Sequence, residues 1–186
     1  MNTNEAVAIF KALGWVAKIN VDRYAEKKIG DRIVVLGFRF KDLSIYQTFE
    51  STPSIKSTHF TNAVKKIEGG RREFNDILKA EFKGRTRLKK DEISEQDIEL
   101  VCRKAIEWAK SFNIDLRYKE LCQLDPSTPG AAGVWHLASL AILGEVERLK
   151  FYQASFETGD RLGFVNYITK DYIDRAVALA EGKINF

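Results

Sequence analysis

The chain has 186 residues, of which 45% are apolar and 30% charged, and its formal net charge is +4. These proportions are typical of a globular protein and exclude wholesale disorder, collagen-like repeats and low-complexity sequence. No apolar run approaches the ~20 residues of a transmembrane helix. The N-terminal residues from Met1 to Glu5 lack the basic flank and the apolar stretch of a signal peptide. We therefore expect a cytoplasmic protein that makes no membrane contact.

Basic residues are concentrated in the first half of the chain. Residues 1–92 carry 19 Lys and Arg against 12 Asp and Glu, a net charge of +7, whereas residues 93–186 carry 11 against 14. Most of the excess lies between Lys56 and Lys90. A surface of this kind attracts an acidic protein, a nucleic acid or an anionic surface.

The first fifty residues predict one helix and three strands. Apolar residues recur at helical spacing over residues 5–13, and Gly14 follows. The pattern then alternates from Trp15 onward, over residues 32–40 and over residues 43–49, which is typical of half-buried strands. This order predicts a helix followed by a three-stranded antiparallel meander.

Residues 51–92 predict the end of the sheet, two helices and a connector. Pro53 and the surrounding Ser and Thr residues are expected to end the sheet and to precede a helix over residues 59–67. Phe74, Ile77, Leu78 and Phe82 fit the apolar side of a second helix. Residues 85–92 are charged and nearly lack apolar anchors, which indicates an exposed connector and a boundary.

The C-terminal half is predicted to be entirely helical. Ser94 precedes acidic first-turn residues and an apolar stripe that ends at Phe112, which predicts a helix of about five turns. Further helices are expected over residues 115–124, 132–143, 145–158 and 170–181. The fold class is therefore α+β, with an α+β half over residues 1–92 and a helical half over residues 93–186, packed as one compact unit.

The segment over residues 133–158 resembles one ankyrin-type helix-turn-helix unit. The resemblance is carried by the run from Gly133 to Ala141 and by Gly144 to Leu149. In that family the histidine bonds backbone groups at the start of the first helix, and the glycine turns the chain. A single repeat cannot bury its own face, so we interpret the segment as a tightly packed helical hairpin in which His136 is a capping or core residue.

Known catalytic motifs are missing from the sequence. The possible nucleophile and base pairs would combine Cys102, Cys122 or a serine with His59 or His136, and Cys102 lies on an apolar helix stripe, where cysteine behaves as a small hydrophobe. There is no nucleophile elbow, phosphate loop, dinucleotide motif or zinc-protease motif. We therefore expect no enzymatic activity, no cofactor and no metal.

Nucleic-acid binding is an alternative that depends on the basic segment over residues 65–90. Its phosphate contacts would have to lie on one surface, although no nucleic-acid-binding motif accompanies the charge. The same residues are the candidates for binding a protein partner. They are Lys65, Lys66, Arg71, Arg72, Lys83, Arg85, Arg87, Lys89 and Lys90.

The whole-chain pattern resembles bacterial toxin-immunity proteins, chiefly over Trp135 to Gly144, Gly159 to Val165 and Tyr172 to Ala180. The resemblance implies stoichiometric binding of a toxin or effector, which covers its active site or blocks its assembly. Many immunity proteins against nucleases are acidic, so the basic balance favours another target unless the acidic C-terminal half makes the contact. A secretion-chaperone-like adaptor is a further alternative, because a helix beside an antiparallel meander can offer a sheet edge or groove to a client peptide.

Overall fold

A computed structural model describes residues 1–19, 23–70 and 77–185. Over these ranges the chain forms seven helices and six strands. In chain order they are α1 (Thr3–Ala12), β1 (Val16–Ile19), β2 (Arg23–Ile29), β3 (Arg32–Leu43), β4 (Tyr46–Ser57), α2 (Thr58–Ile67), β5 (Ile77–Ala80), β6 (Thr86–Lys90), α3 (Glu95–Ser111), α4 (Ile114–Leu121), α5 (Ala132–Ile142), α6 (Val146–Glu157) and α7 (Lys170–Ala180).

The chain divides into two compact units, which interleave along the sequence. The first unit comprises Met1–Ser57 and Ile77–Phe112, and it holds α1, α3 and all six strands. The second unit holds α2 and the helices from α4 to α7. The α+β class is confirmed, and among the residues described here no helix is long and apolar enough to cross a membrane.

The sheet of the first unit is antiparallel and has six strands, so the prediction of three was an undercount. Strands β1 to β4 lie side by side in chain order, and both β5 and β6 then pair with β4. Strand β1 lies within the strand expected from Trp15, whereas β2 was not predicted. The alternation that begins at Trp15 includes Val21, which lies outside the described residues.

The sequence suggested that Pro53 ends the sheet. Instead, Pro53 lies inside β4, opposite Leu36 of β3. Its carbonyl accepts a hydrogen bond from the Glu81 amide at 2.9 Å, on the side of β5 and β6. In an extended strand the N–H and C=O of one residue point to the same side, so the missing N–H of Pro53 faces away from β3. The β3 ladder therefore loses no donor at Pro53.

Two further predictions between residues 74 and 92 were wrong. Residues 77–80 form strand β5 rather than a helix, with Leu78 buried and Ile77 and Phe82 exposed. Residues 86–90 form strand β6 rather than a connector. Both segments are at the edge of the sheet, where one neighbouring strand suffices and most side chains stay polar. Phe74 lies outside the described residues.

One face of the sheet is packed against α1 and α3. Phe10 of α1 lies 4.9 Å from Phe38 and 6.4 Å from Phe49, measured between ring centroids. From α3, Cys102 and Ala105 join the same buried cluster. Because successive residues of a strand point to opposite faces, this packing leaves the alternate residues of β3, β4 and β6 on the other face.

In the second unit, α5 is the central helix. It contacts α2, α4, α6 and α7, and it is apolar on nearly every side, as a fully surrounded helix should be. A Cβ atom added at Gly133 would lie 3.0 Å from Cγ1 of Ile168, so a larger residue would require the Ile168 side chain to shift. The predicted hairpin is formed by α5 and α6, and the chain turns at Gly144 with φ of 70°.

Candidate partner-binding surface

The face of the sheet opposite α1 and α3 carries two rows of basic residues. In the first row, Arg39 of β3 and Arg87 of β6 flank Glu50 of β4. In the second row, Lys41 of β3 and Lys89 of β6 flank Thr48 of β4. Directly opposed residues of neighbouring strands lie roughly 5 Å apart, so the four basic side chains form one cluster.

Glu50 lies at the centre of this cluster as its acidic member. Arg85, which immediately precedes β6, donates a hydrogen bond of 2.5 Å to Oε2 of Glu50. This hydrogen bond, together with the nearby charges of Arg87 and Arg39, holds the pKa of the Glu50 carboxyl below its usual value. At neutral pH the Glu50 carboxylate offsets part of the repulsion between the arginines.

Lys89 is held over an aromatic ring. Its Nζ lies 4.0 Å from the centroid of Tyr46, at the start of β4. A cation–π contact of this kind contributes about 0.5–1 kcal/mol at an exposed site. The contact restrains the lysine and leaves its ammonium at the surface.

We call this surface the basic face, and it comprises Arg39, Lys41, Arg85, Arg87 and Lys89. All five residues are solvent-exposed. Within the described part of the chain, only Arg85 of the five forms an ion pair. The remaining four charges are available to a partner, and Glu50 is already occupied by Arg85.

The structure brings only some of the predicted site residues together. Arg85, Arg87 and Lys89 belong to the basic face, whereas Lys90 points to the other face and pairs with Asp97 at 2.6 Å. Lys83 is exposed in the loop before β6. Lys65 and Lys66 lie in the last turn of α2, in the second unit, and are not part of this face. Arg71 and Arg72 lie outside the described residues.

Sequence reasoning missed Arg39 and Lys41. Both are in β3, and they alternate with the buried residues Phe38 and Phe40. That alternation was visible in the sequence and placed the two basic residues on the face opposite the core. What the sequence could not show is that β6 would lie two strands away, with its own basic residues in register.

The two cysteine thiols are buried and poorly suited to nucleophilic chemistry. Burial raises the pKa of the Cys102 thiol to about 12 and that of Cys122 to about 11. A thiolate is the reactive form of cysteine, so both side chains act as small hydrophobes. Among the described residues, no group of His, Cys, Asp and Glu is arranged to hold a metal ion.

The histidine of the hairpin is also buried. Burial, followed by the nearby charge of Arg148, lowers the pKa of His136 to about 4, while the carbonyls of Leu121 and Cys122 act in the opposite direction. Its Nε2 lies 3.1 Å from Oη of Tyr152, which accepts a hydrogen bond of 2.7 Å from Nε of Arg148. The neutral ring is therefore a buried polar link between α5 and α6.

These features define an α+β protein whose sheet is covered by helices on one face and carries a cluster of basic residues on the other, followed by a helical C-terminal half. The chain belongs to DUF6990, a family of unknown function, whose sequence profile matches residues 2–181. No curated protein and no solved structure matches the chain.

Proposed function

We propose that this chain is a non-catalytic binding protein that associates stoichiometrically with an acidic protein partner. In this proposal it acts as a cytoplasmic immunity protein that neutralises a bacterial toxin or effector. The observation that carries the proposal is the basic face, in which four exposed charges without ion pairs in the described part of the chain lie on β3 and β6, the two strands on either side of β4. A rigid sheet presents these charges with little loss of conformational entropy on binding.

A protein partner fits this surface better than a nucleic acid does. Glu50 places a carboxylate in the middle of the surface, where it would repel a phosphate backbone. Proteins that bind single-stranded nucleic acids commonly combine basic residues with aromatic side chains on which bases stack. The ring of Tyr46 lies under the Lys89 ammonium instead. A protein can place acidic side chains around Glu50 and leave the Glu50 carboxylate uncovered.

The test compares two variants with the same change in charge. The first, R39Q/K41Q/R87Q/K89Q, neutralises four residues of the basic face and keeps the pair of Arg85 with Glu50. The matched control neutralises four exposed lysines that belong to helices rather than to the sheet and is K65Q/K66Q/K110Q/K119Q. The partner is captured from native cytoplasm, identified, purified and titrated against each protein.

We expect a complex of one to one with the wild type. The basic-face variant should associate about 10 to 100 times more slowly at low salt, because clustered charges steer encounter. The control should keep most of the association rate. Equal rates for the two variants would refute the assignment to this face. Submicromolar binding of duplex DNA or single-stranded RNA at ~150 mM salt, lost in the basic-face variant, would replace the proposal with nucleic-acid binding.

A secretion-chaperone-like adaptor is a second candidate, and the exposed edge of β6 favours it. Within the described chain, β6 pairs only with β4, so its outer edge can receive an extended client segment. The two roles differ in the effect on the partner. Co-expression with an immunity protein abolishes the toxicity of the partner, whereas an adaptor leaves a non-toxic partner more soluble or more efficiently secreted.

A further inference from the structure

Strands β5 and β6 together form one interrupted neighbour of β4. Residues 77–80 pair with β4 beyond Pro53, and residues 86–90 pair with it before Thr52. The five residues 81–85 connect the two strands, and of these Glu81 still donates its amide to the Pro53 carbonyl. Because Pro53 has no N–H to donate, a continuous strand would gain little there. The interruption leaves a gap in the edge of the sheet next to α3.

A cleft of about 140 Å³ opens at this gap, within the first unit. Its walls are Leu36 and Pro53 from the sheet, and Val101, Ala105 and Trp108 from α3. A dry apolar cavity of about 150 Å³ accepts a benzene-sized molecule. The cleft therefore has the volume and the lining for a single aromatic ring.

One buried polar atom in the lining indicates that a ligand completes this cleft. Ser51 also lines it and is 2% exposed, and its Oγ makes no hydrogen bond within the described part of the chain. A buried hydroxyl without a partner costs about 1–3 kcal/mol. The face of an aromatic ring in the cleft would accept a weak hydrogen bond from this hydroxyl.

We propose that an acidic, extended segment of the partner protein pairs with the outer edge of β6 and inserts one aromatic side chain into this cleft. The proposal rests on the proposed function and specifies how the acidic partner is recognised. Side chains of a paired strand alternate between the two faces of the sheet. Every second residue would therefore point to the basic face, and the residues between them would point to the side of α3 and the cleft.

The charges around the edge match such an alternating segment. Arg87 and Lys89 lie on the basic face of β6 itself, and Lys104 lines the cleft on the other side. Glu81 is the acidic residue of the lining, and its Oε1 already accepts hydrogen bonds from the amides of Lys83 and Gly84 at 2.8 and 3.3 Å. The surroundings therefore favour a negatively charged segment on both sides of β6.

The probe is a synthetic seven-residue peptide with glutamate at its odd positions, phenylalanine at its centre and threonine at the other even positions. One matched peptide has alanine in place of phenylalanine, and another has glutamine in place of every glutamate. Binding is followed by chemical-shift changes of the backbone amides over residues 86–90 and of the Trp108 indole N–H.

We expect the phenylalanine peptide to bind about tenfold more tightly than the alanine peptide, because it fills the apolar cleft. The glutamine peptide should bind more weakly and lose its salt dependence. The variant A105L, which fills the cleft, should remove the preference for phenylalanine and keep the salt dependence. The control variant E107L adds leucine at an exposed position of the same helix and should keep both.

The measurements separate failure of this proposal from failure of the proposed function. Equal binding of the phenylalanine and alanine peptides, with the salt dependence unchanged, would refute insertion of an aromatic side chain into the cleft. Binding at the basic face would still be supported. If the basic-face variant binds the phenylalanine peptide as tightly as the wild type does, the proposed function is overturned instead. If A105L does not fold, titration of the wild type with phenol decides: no shift of the Trp108 indole signal refutes the cleft.

Discussion

His136 shows what burial does to a single titratable side chain. It is fully buried, and its polar contact with Tyr152 joins the two helices of the hairpin. The neutral ring suits this position, because a charged imidazolium would lose its hydration and lie near Arg148. The sequence predicted a capping or core residue. The tertiary structure adds that its hydrogen-bonding partner is a side chain of α6.

The stability of the protein should fall on acidification because of His136. Its pKa is about 4 in the folded state against 6.5 as an unperturbed group, so the unfolded chain takes up a proton first. The stabilising contribution is complete above the unfolded pKa and is lost as the pH falls towards the folded one. Between about pH 7 and about pH 5 the loss amounts to about 2 kcal/mol.

Urea unfolding at the two pH values, with wild type and H136Q, measures this contribution. The variant should be less stable at neutral pH, since glutamine does not reproduce the ring packing, and its pH dependence should be smaller by about 2 kcal/mol. An unchanged pH dependence in H136Q would show that His136 takes up its proton equally in the folded and unfolded states.

At the scale of elements, the start of α3 is stabilised by three side chains. The Ser94 Oγ accepts a hydrogen bond from the Asp97 amide at 3.3 Å, and the Asp97 carboxylate accepts one from the Ser94 amide at 3.0 Å. The hydrogen bond from Lys90 is the main reason why the pKa of Asp97 lies below its usual value. Because Lys90 is the last residue of β6, the same contacts fasten the edge strand to the helix.

Substitution of Ser94 by alanine should therefore lower the free energy of unfolding by about 1 kcal/mol. The control is S111A at the other end of the same helix, where the Oγ only donates to the Trp108 carbonyl at 2.9 Å and the side chain is exposed. S111A should change stability by less than half as much. Equal effects of the two substitutions in urea unfolding would contradict a specific role for the cap.

The elements that sequence patterns described well are those that carry their own signals. The helices α3 and α7 have an apolar stripe, and α3 also has a capping box. Strands β5 and β6 have neither long alternation nor many apolar residues, since they are short and occupy an edge. Their strand conformation depends on hydrogen bonds to β4, which is distant in the chain, and a local pattern cannot report such bonds.

At the scale of the molecule, the clustering of charge matters more than the formal net charge of +4. Both the basic-face variant and its matched control lower that charge to 0. On a cation-exchange column the basic-face variant should elute at clearly lower salt than the control, because closely spaced charges bind an anionic surface together. Elution of both variants at the same salt would show that the basic face is not a distinct surface in solution.

The sequence by itself determined the α+β class, the helical C-terminal half, the first helix and the buried nature of His136 and Cys102. These features depend on periodicity, capping residues and composition, which are local properties of the chain. The excess of basic residues before residue 92 was likewise visible. The sequence did not show where these basic residues lie on the surface, and it gave no basis for choosing among the nine candidate residues.

Only the tertiary structure decided which of those residues act together. Long-range pairing of β6 with β4 aligns Arg87 with Arg39 and Lys89 with Lys41, although β3 and β6 are separated by more than 40 residues in the chain. The same pairing, interrupted opposite Pro53, opens the cleft beside α3. Strand register is fixed by which face is buried and by hydrogen bonds between distant segments, so the binding surface exists only once the sheet has formed.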